Sequence, residues 1–471
     1  MKTYFAYYSL VWYNQDYSTP YRVCKIKVVF LRIFYSRLGS TARGPGRRLR
    51  RLPENIQEDM TMSRPLSQML AVPASPDSLH DPEILLKRVK STGAFQLQSS
   101  RFEDEMLHLD IASDGEIYHA EIFPTEFQIP ELYRCQHLFP DVDLDAIERA
   151  QIGLSVEMEF GENALASYHL QLKLICALVP DLLAVLDDSS EKILSGRWVT
   201  LAAQSRVAPA PRYLYTAQAV SGEDDCVWLH THGLDRCGRP ELEILNSTRD
   251  TYQTHYNVLE TLANRLLEQE ELPGYGEPFF LAYVTQDIPL IVTLIPWADA
   301  VEHYPEDMTG GKGDRAEGHN EESCSIFVYP SEESIDKGEY SSLSIYDQLL
   351  QDNPIYMITT SETNRMHDLA AERLPYFTAA FRDSRNKLLG KFGLLIDEEY
   401  RTEDNCREHI WFEILDIQGD RFKARLTQEP YYVAGVHEGY ECEFGPEDLT
   451  DWLIFTPERR ISPDDVYLLE L

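Results

Sequence analysis

The chain has 471 residues, of which 43% are hydrophobic and 26% charged, and its formal net charge at pH 7 is −35. This length exceeds what one hydrophobic core usually serves, so we expect two or three domains, and the 27 Tyr and 19 Phe argue against extensive disorder. The negative charge repels phosphate backbones and anionic lipid headgroups, which disfavours nucleic acids and membranes as partners.

The first 60 residues differ in composition from the rest of the chain. They hold eleven Lys and Arg against four Asp and Glu, so the remainder is more acidic than the total charge suggests. Residues 28–35 are apolar but are interrupted by Arg32, which fits neither a signal peptide nor a membrane span. We interpret residues 1–61 as a basic extension that is disordered or precedes the natural start, with Met60 or Met62 as the first residue.

Residues 62–90 are rich in Pro and Ser, which predicts a flexible lead-in to the folded part. Hydrophobic alternation then begins around residues 107–111 and resumes at 117–122. Asp114-Gly115 lies between these two alternating runs, and Asp-Gly in this position is a strong signal for a β-hairpin.

The main region, residues 91–385, mixes helical and strand patterns, which predicts an α+β fold without a doubly wound parallel sheet. We expect one or two subdomains with a split near residue 160, and a surface loop at 303–323. Helices are predicted at 144–151, 162–179, 252–267 and 362–389, and strands at 154–160, 182–186, 198–203, 213–220, 226–230, 242–245, 279–284 and 290–295.

Residues 386–471 are predicted to form a separate, small β-rich domain. Short alternating segments follow one another closely here, with a turn at 418–420 between the first two. Such spacing is typical of a small β-barrel-like domain or a curled sheet.

The densest group of polar side chains lies at residues 228–241. On a strand, residues two apart share a face, so His230 and His232 should point the same way, roughly 6–7 Å apart. Two imidazoles in that relation can share a zinc ion, with Cys237 as a third ligand. In the structural alternative, one histidine packs in the core, and Gly233 and Gly238 shape a turn. Arg236 or Arg239 then pairs with Glu241 or Glu243.

A third interpretation of the same segment is a recognition surface. It would comprise residues of this segment and residues at strand edges of the C-terminal domain, namely Trp228, Asp235, Arg236, Glu241, Glu408, His409, Trp411, Asp451 and Trp452. Trp452 on its own is better explained as a packing residue of the core or rim.

Other motifs are weak. The eight cysteines include no pair at CxxC spacing, which is typical of free thiols in a reducing cytoplasm. Residues 310–315 resemble half of a phosphate-binding loop, but Lys312 is followed by Gly313, where a Walker sequence has Ser or Thr. Asp187 and Asp188 follow a predicted strand and are expected to start a turn or cap a helix, with Mg²⁺ binding as the alternative. The common signatures of hydrolases, kinases and dinucleotide-binding enzymes are absent from the sequence.

Two parts of the chain resemble known bacterial families. The central region is similar to the family called domain of unknown function 4026, on the basis of residues 182–203, 211–216 and 228–244. The C-terminal region is similar to domain of unknown function 2314, on the basis of residues 391–394, 408–411, Leu426, Pro430, Gly439 and 451–452. The resemblance implies a bacterial cytoplasmic protein and carries no catalytic residues with it.

Two hypotheses about function follow. The first is a non-enzymatic binding protein, immunity-type or accessory, whose acidic surface binds a basic protein partner. The second is a metal-dependent enzyme, such as a hydrolase, that uses His230, His232 and Cys237 to hold zinc.

Overall fold

The computed structural model describes residues 64–76, 79–136, 139–222, 225–285, 288–306, 308–315, 320, 322–352, 360–398 and 407–469. The predicted N-terminal extension lies outside these residues. Three sheets follow one another along the described chain, with helices packed against them, so the predicted α+β class is confirmed. None of the helices in the described part combines the length and the apolar character that crossing a lipid bilayer requires.

The first sheet has seven antiparallel strands in the order β2-β3-β4-β5-β1-β6-β7. The strands are β1 (Ser67–Pro73), β2 (Gln96–Glu103), β3 (Met106–Ser113), β4 (Glu116–Glu126), β5 (Ile152–Met158), β6 (Leu182–Asp187) and β7 (Lys192–Ser195). The helices of this part are α1 (Pro82–Ser91), α2 (Glu131–Gln136), α3 (Leu144–Ala150), α4 (Ala164–Leu178) and α5 (Gly196–Gln204).

The structure confirms the hairpin in this sheet and corrects two other predictions. Asp114 and Gly115 both have positive φ, 50° and 91°, and they join β3 to β4 in a tight turn. The flexible lead-in predicted at 62–90 is wrong for its described part, because β1 is an interior strand between β5 and β6. The strand predicted at 198–203 is helix α5, which begins where the Ser195 hydroxyl accepts the N–H of Trp198.

The second sheet follows directly and has the order β11-β12-β13-β10-β9-β8, with β10 and β13 parallel and β14 paired to β13. Its strands are β8 (Thr216–Ser221), β9 (Cys226–His232), β10 (Leu242–Thr248), β11 (Phe279–Thr285), β12 (Ile288–Pro296), β13 (Cys324–Tyr329) and β14 (Ser341–Ser342). Its helices are α6 (Tyr252–Glu268), α7 (Trp297–Ala300), α8 (Glu332–Lys337) and α9 (Asp347–Asp352). The boundary between the first two sheets therefore lies between Ser195 and Thr216 and not near residue 160.

The third sheet is antiparallel, in the order β18-β17-β16-β15-β19-β20. It is formed by β15 (Lys387–Leu395), β16 (Arg407–Gln418), β17 (Arg421–Leu426), β18 (Glu441–Phe444), β19 (Leu449–Phe455) and β20 (Arg460–Ile461). Its end strands, β18 and β20, do not pair among the described residues, so a closed barrel is not confirmed. The single helix predicted at 362–389 is instead α10 (Thr360–Glu372), α11 (Leu374–Ala380) and the start of β15.

Buried side chains of the first and second sheets form one continuous hydrophobic core, while the third sheet has its own core. α4 is buried on nearly all sides in the first sheet, and α6 covers one face of the second. The C-terminal sheet packs on α10 and α11 through Trp452 and Phe377, whose ring centroids are 5.2 Å apart. The segment between the first two sheets is thus enclosed by protein, and this enclosure determines the surroundings of the polar group at residues 228–241.

Candidate functional site

The histidine pair lies on β9 as the sequence predicts. Trp228, His230 and His232 share one face of the strand, and the rings of Trp228 and His230 stack at a centroid distance of 3.9 Å. The His232 ring meets His230 edge-on at 4.9 Å, and its Nε2 lies 3.6 Å from the Glu191 carboxylate. His230 is buried, so this face is part of the protein interior for most of its length.

Cys237 is not placed as a zinc ligand would be. Its thiol is buried and contacts the Gly233 carbonyl at 3.7 Å, and burial raises its pKa to about 12. Zinc binds the thiolate, so this environment opposes ligation. Among the described residues, no three His, Cys, Asp or Glu side chains are grouped so that they can hold a metal ion. Zinc binding by His230, His232 and Cys237 thus has no geometric support here and stays a prediction.

Arg236 forms a buried ion pair and is not a surface residue. Its guanidinium donates to both carboxylate oxygens of Asp187, at 2.7 and 2.9 Å, and to the Leu214 carbonyl at 2.6 Å. The predicted partners, Glu241 and Glu243, are wrong, and so is the predicted place of Arg236 on a recognition surface. Arg236 instead joins the turn after β9 to the end of β6 in the first sheet. Both carboxylate oxygens of Asp187, which the sequence offered as an alternative Mg²⁺ ligand, therefore bind Arg236.

Glu241 shapes the turn that follows β9. One carboxylate oxygen accepts the N–H groups of Gly233, Leu234 and Asp235 at 2.6, 2.7 and 3.2 Å, and the other accepts the Thr231 hydroxyl at 2.5 Å. The turn that the structural alternative predicts is therefore present, and the carboxylate of Glu241 binds its backbone. Because every acceptor position of Glu241 is turned inward, it cannot contact a partner.

Trp228 is also internal, because it packs against an arginine of the loop after β12. The Arg315 guanidinium lies between the rings of Trp228 and Trp297, 4.6 and 4.9 Å from their centroids. Arg315 and the Trp228 indole N–H both bind the Glu243 carboxylate. Gly310 in the same loop has φ +82°, and a Cβ there would come within 2.5 Å of Trp228. The residues that resemble half of a phosphate loop therefore anchor the loop 308–315 to the sheet.

A serine, a histidine and an aspartate form a hydrogen-bonded chain that the sequence analysis missed. His255 Nδ1 lies 2.8 Å from Ser247 Oγ, and Nε2 lies 2.8 Å from Asp347 Oδ1. In a hydrolase the serine must face the substrate, whereas here Ser247 is fully buried and the Asp347 side chain is 31% exposed. The serine is thus buried and the aspartate exposed, the reverse of what a hydrolase needs. These hydrogen bonds connect β10, α6 and α9 and do not form a nucleophilic site.

The C-terminal sheet brings together three residues of the predicted recognition surface, His409, Trp411 and Asp451. In the pairing register, Lys391 on β15 lies opposite Trp411 on β16 and opposite Asp451 on β19. The Lys391 ammonium is 5.6 Å from the Trp411 ring centroid, and His409 lies on the same face of β16 as Trp411. Trp452 is instead fully buried, and its indole donates to the Ala370 carbonyl at 3.0 Å. Its inclusion in a recognition surface is wrong, and its packing role is confirmed.

The titratable groups on this face have shifted pKa values. Burial raises the pKa of Asp451 to about 6 and lowers the pKa of Lys391. Partial burial and the positive charges of Lys391 and Arg407 lower the pKa of His409. Clusters of shifted pKa values are typical of functional sites, so this face, on which His409 is exposed, Lys391 and Trp411 are half-buried and Asp451 is buried, is a candidate site. Lys391 belongs to the residues that carry the family resemblance, but no sequence pattern assigns it a role.

A long connection beside this face exposes aromatic side chains. Residues 427–440 join β17 to β18, and Tyr431 and Tyr440 in this loop are 63% and 48% exposed. Glu408, one of the predicted recognition residues, holds the loop: its two carboxylate oxygens accept the N–H groups of Tyr431 and Tyr432, both at 2.8 Å. Glu408 therefore acts on the loop and leaves the aromatic side chains to face solvent.

Three family descriptions match successive parts of the chain. Residues 67–209 match the protein of unknown function (DUF4026) N-terminal part, and residues 217–327 match the DUF4026 C-terminal part. Residues 362–462 match an uncharacterized protein conserved in bacteria (DUF2314). These ranges correspond to the three sheets, and both resemblances predicted from sequence are confirmed. No curated protein and no solved structure matches the chain.

Proposed function

We propose that this chain, which belongs to the DUF4026 family and carries a DUF2314 domain after it, is a non-enzymatic interaction protein. In this proposal it acts in the bacterial cytoplasm, as an immunity-type or accessory protein. The loop 427–440 of the C-terminal domain binds a basic protein partner. The observation that carries the proposal is the way in which carboxylates fix the backbone of this loop while its tyrosines face solvent.

The loop is fixed at three places by carboxylates that accept backbone N–H groups. Glu408 holds two successive residues, as described above. Asp397 accepts the N–H of Ala434 at 3.0 Å, and Glu429 accepts the N–H of Glu438 at 3.1 Å. A loop held in this way loses little conformational entropy when it binds, so more of the contact energy remains for affinity.

The exposed groups of the loop suit a partner rich in Lys and Arg. Tyr431 and Tyr440 offer ring faces on which a guanidinium can stack, and tyrosines of this kind are frequent hot spots of protein interfaces. Of the nearby carboxylates, Glu429 and Glu441 pair within the domain, with His437 and with Lys423 and Arg425, while Glu438 is exposed. The net charge of −35 would in addition speed the encounter with a basic protein, most strongly at low salt.

The test uses the full chain as bait in extracts of the native host at low and moderate salt. A captured basic protein is then purified, and its affinity is measured for the wild type and for the Tyr431→Ala/Tyr440→Ala variant. We expect the double substitution to weaken binding at least about tenfold, because two aromatic contacts are lost. Tyr283→Ala, at an exposed tyrosine of β11, is the matched control and should bind like the wild type.

A second variant separates the loop's order from its side chains. Glu408→Gln keeps both tyrosines but replaces the charged acceptor of two N–H groups, so binding should weaken mainly through loss of preorganisation. If every captured basic partner binds the tyrosine double variant as tightly as the wild type, the loop is not the recognition surface and the proposal fails.

A further inference from the structure

A group of basic side chains lies on the outer face of β15 and β16, apart from the tyrosines of the loop. In the whole chain Asp and Glu outnumber Lys and Arg by 78 to 43. Around His409, however, the charged neighbours with the largest effect on its pKa are Lys391, Arg407 and His367, all of them basic. Basic groups gathered on one face of an acidic protein provide donors that an anionic ligand needs.

Gly393 is the centre of this group. It pairs with His409 across the two strands, and a Cβ at Gly393 would lie 3.0 Å from Arg407 Cδ and 3.1 Å from His409 Cε1. Both side chains therefore lie over the glycine, where a larger residue would displace them. Lys391 is two residues before Gly393 and on the same face of β15, so the three basic groups surround one position that has no side chain of its own.

The hydrogen bonds of Thr450 define the orientation of the His409 ring. The Thr450 hydroxyl donates to the Lys391 carbonyl at 3.1 Å, so its oxygen accepts from His409 Nδ1–H, 3.2 Å away. Nε2 is then the nitrogen that carries the lone pair in the neutral ring. When the ring takes up a proton, Nε2 becomes a second N–H donor of fixed direction, next to Arg407.

Acidic groups lie next to the basic ones and help to position them. The Arg407 guanidinium donates to the Gly393 carbonyl and to the Asp448 carboxylate, both at 3.2 Å from the same nitrogen, Nη1. Asp451 lies opposite Lys391 in the register and accepts the N–H of Trp452 at 2.8 Å. Arg407 is partly exposed, with the side chain 48% accessible, so other guanidinium nitrogens can meet a ligand.

We propose that Lys391, Arg407 and His409 form a binding site for the phosphate group of a small molecule. A guanidinium fork, an ammonium and an imidazole N–H provide donors of different geometry, which suits the several oxygens of a phosphate better than the two of a carboxylate. Because a dianion favours the protonated imidazole, binding takes up a proton at His409. The Trp411 ring beside Lys391 forms the apolar wall of the site.

The decisive measurement is an NMR titration of the histidine rings in the full chain. The pKa of His409 is followed in sodium phosphate and in sodium chloride at equal ionic strength. We expect the pKa of His409 to be higher in phosphate than in chloride. The increase should correspond to about tenfold tighter binding of phosphate to the protonated ring than to the neutral ring. His437, an exposed histidine of the loop 427–440, serves as the internal reference signal. An equal pKa of His409 in both salts would overturn the proposal.

Variants and a second anion define the site further. Arg407→Gln and Lys391→Met should each abolish the difference between phosphate and chloride, with folding checked by circular dichroism. Sodium acetate should produce a smaller pKa change than phosphate, and an equal change would contradict a phosphate site. The Tyr431→Ala/Tyr440→Ala variant should respond like the wild type, so this inference and the proposed function can fail independently.

Discussion

Two buried basic residues satisfy the backbone of the segment that joins the first two sheets. Lys192 donates to the carbonyls of Tyr213 and Tyr215 at 2.7 and 2.8 Å, and Arg236 donates to the carbonyl between them. Buried carbonyls need donors, and these three obtain theirs from side chains of both sheets. Asp187 in turn balances the charge of Arg236. The polar residues that attract attention in the sequence therefore serve the junction of the two DUF4026 parts.

Removing one member of the buried ion pair should destabilise the protein severely. We expect Arg236→Leu to lower the free energy of unfolding by about 3–5 kcal/mol, because Asp187 stays buried but loses the guanidinium that binds both of its oxygens. The Arg236→Leu/Asp187→Leu variant should lose less than the single variant. Urea unfolding measures both, with Arg385→Leu as the control, since its pair with Asp383 is exposed. An effect of Arg236→Leu no larger than that of Arg385→Leu would contradict this account.

The carboxyl group of Asp451 should make stability depend on pH. Its pKa is raised by burial to about 6, against 3.8 for the unfolded chain, so the folded protein holds a proton that the unfolded chain has released. Unfolding then releases a proton between these values, and the free energy of unfolding falls as pH rises through this window.

Asp451→Asn does not titrate and provides the comparison for this effect. Between pH 4 and pH 7, the stability of the wild type relative to Asp451→Asn should fall by up to about 3 kcal/mol. Urea unfolding of both proteins at several pH values gives this difference. A difference that is constant with pH, or that grows in favour of the wild type, would show that the carboxyl is not held protonated.

At the scale of the elements, the stability of the β3–β4 hairpin should depend on the backbone conformation of one glycine. Gly115 has φ +91° and Gly313 does not have positive φ, while neither has an atom within 4 Å of an added Cβ. The two positions therefore differ in backbone strain and not in space. Gly115→Ala should cost about 1 kcal/mol of unfolding free energy, whereas Gly313→Ala should be neutral or stabilise the protein by a few tenths. Equal costs in thermal unfolding would mean that the turn relaxes without strain.

This hairpin was predictable because all of its signals are local, whereas β1 was not. β1 is buried on nearly its whole length, so it lacks the alternation of a half-buried strand, and Ser67 pairs with Met158, 91 residues later. The run at 198–203 is short and apolar, and such runs fit a strand or a helix equally well. There the cap provided by Ser195 decides for the helix.

The candidate sites were predictable in part for the same reason. The period of a strand correctly places His230 and His232 on one face. Whether that face is open depends on Arg315, which comes from a loop about 80 positions further along the chain and covers Trp228. Similarly, His409 and Asp451 come together only because β15 lies between their strands, and no local pattern contains that order.

At the scale of the whole molecule, the last described residues connect the two families' domains. The segment 463–469 follows the DUF2314 match and contributes Val466 to the C-terminal core and Tyr467 to the core of the first two sheets. Tyr467 packs on Phe139 with a centroid distance of 5.5 Å. Asp464 forms ion pairs with Arg365 of α10, at 3.0 Å, and with Arg212 of the segment before β8, at 3.7 Å. One short segment thus belongs to two cores.

This shared segment should make the C-terminal domain unfold together with the rest of the protein. In the Asp464→Asn/Tyr467→Ala variant the ion pairs and the ring contact across the boundary are lost, while Val466 still completes the C-terminal core. We expect calorimetry to show one transition for the wild type and two for the variant, because domains joined by a weak interface unfold independently. Asp420→Asn, in the turn between β16 and β17, controls for a change of charge within the C-terminal domain and should keep one transition. A single, unshifted transition in the double variant would mean that other contacts, such as the bond from Arg197 to the Leu469 carbonyl at 3.0 Å, are sufficient to couple the domains.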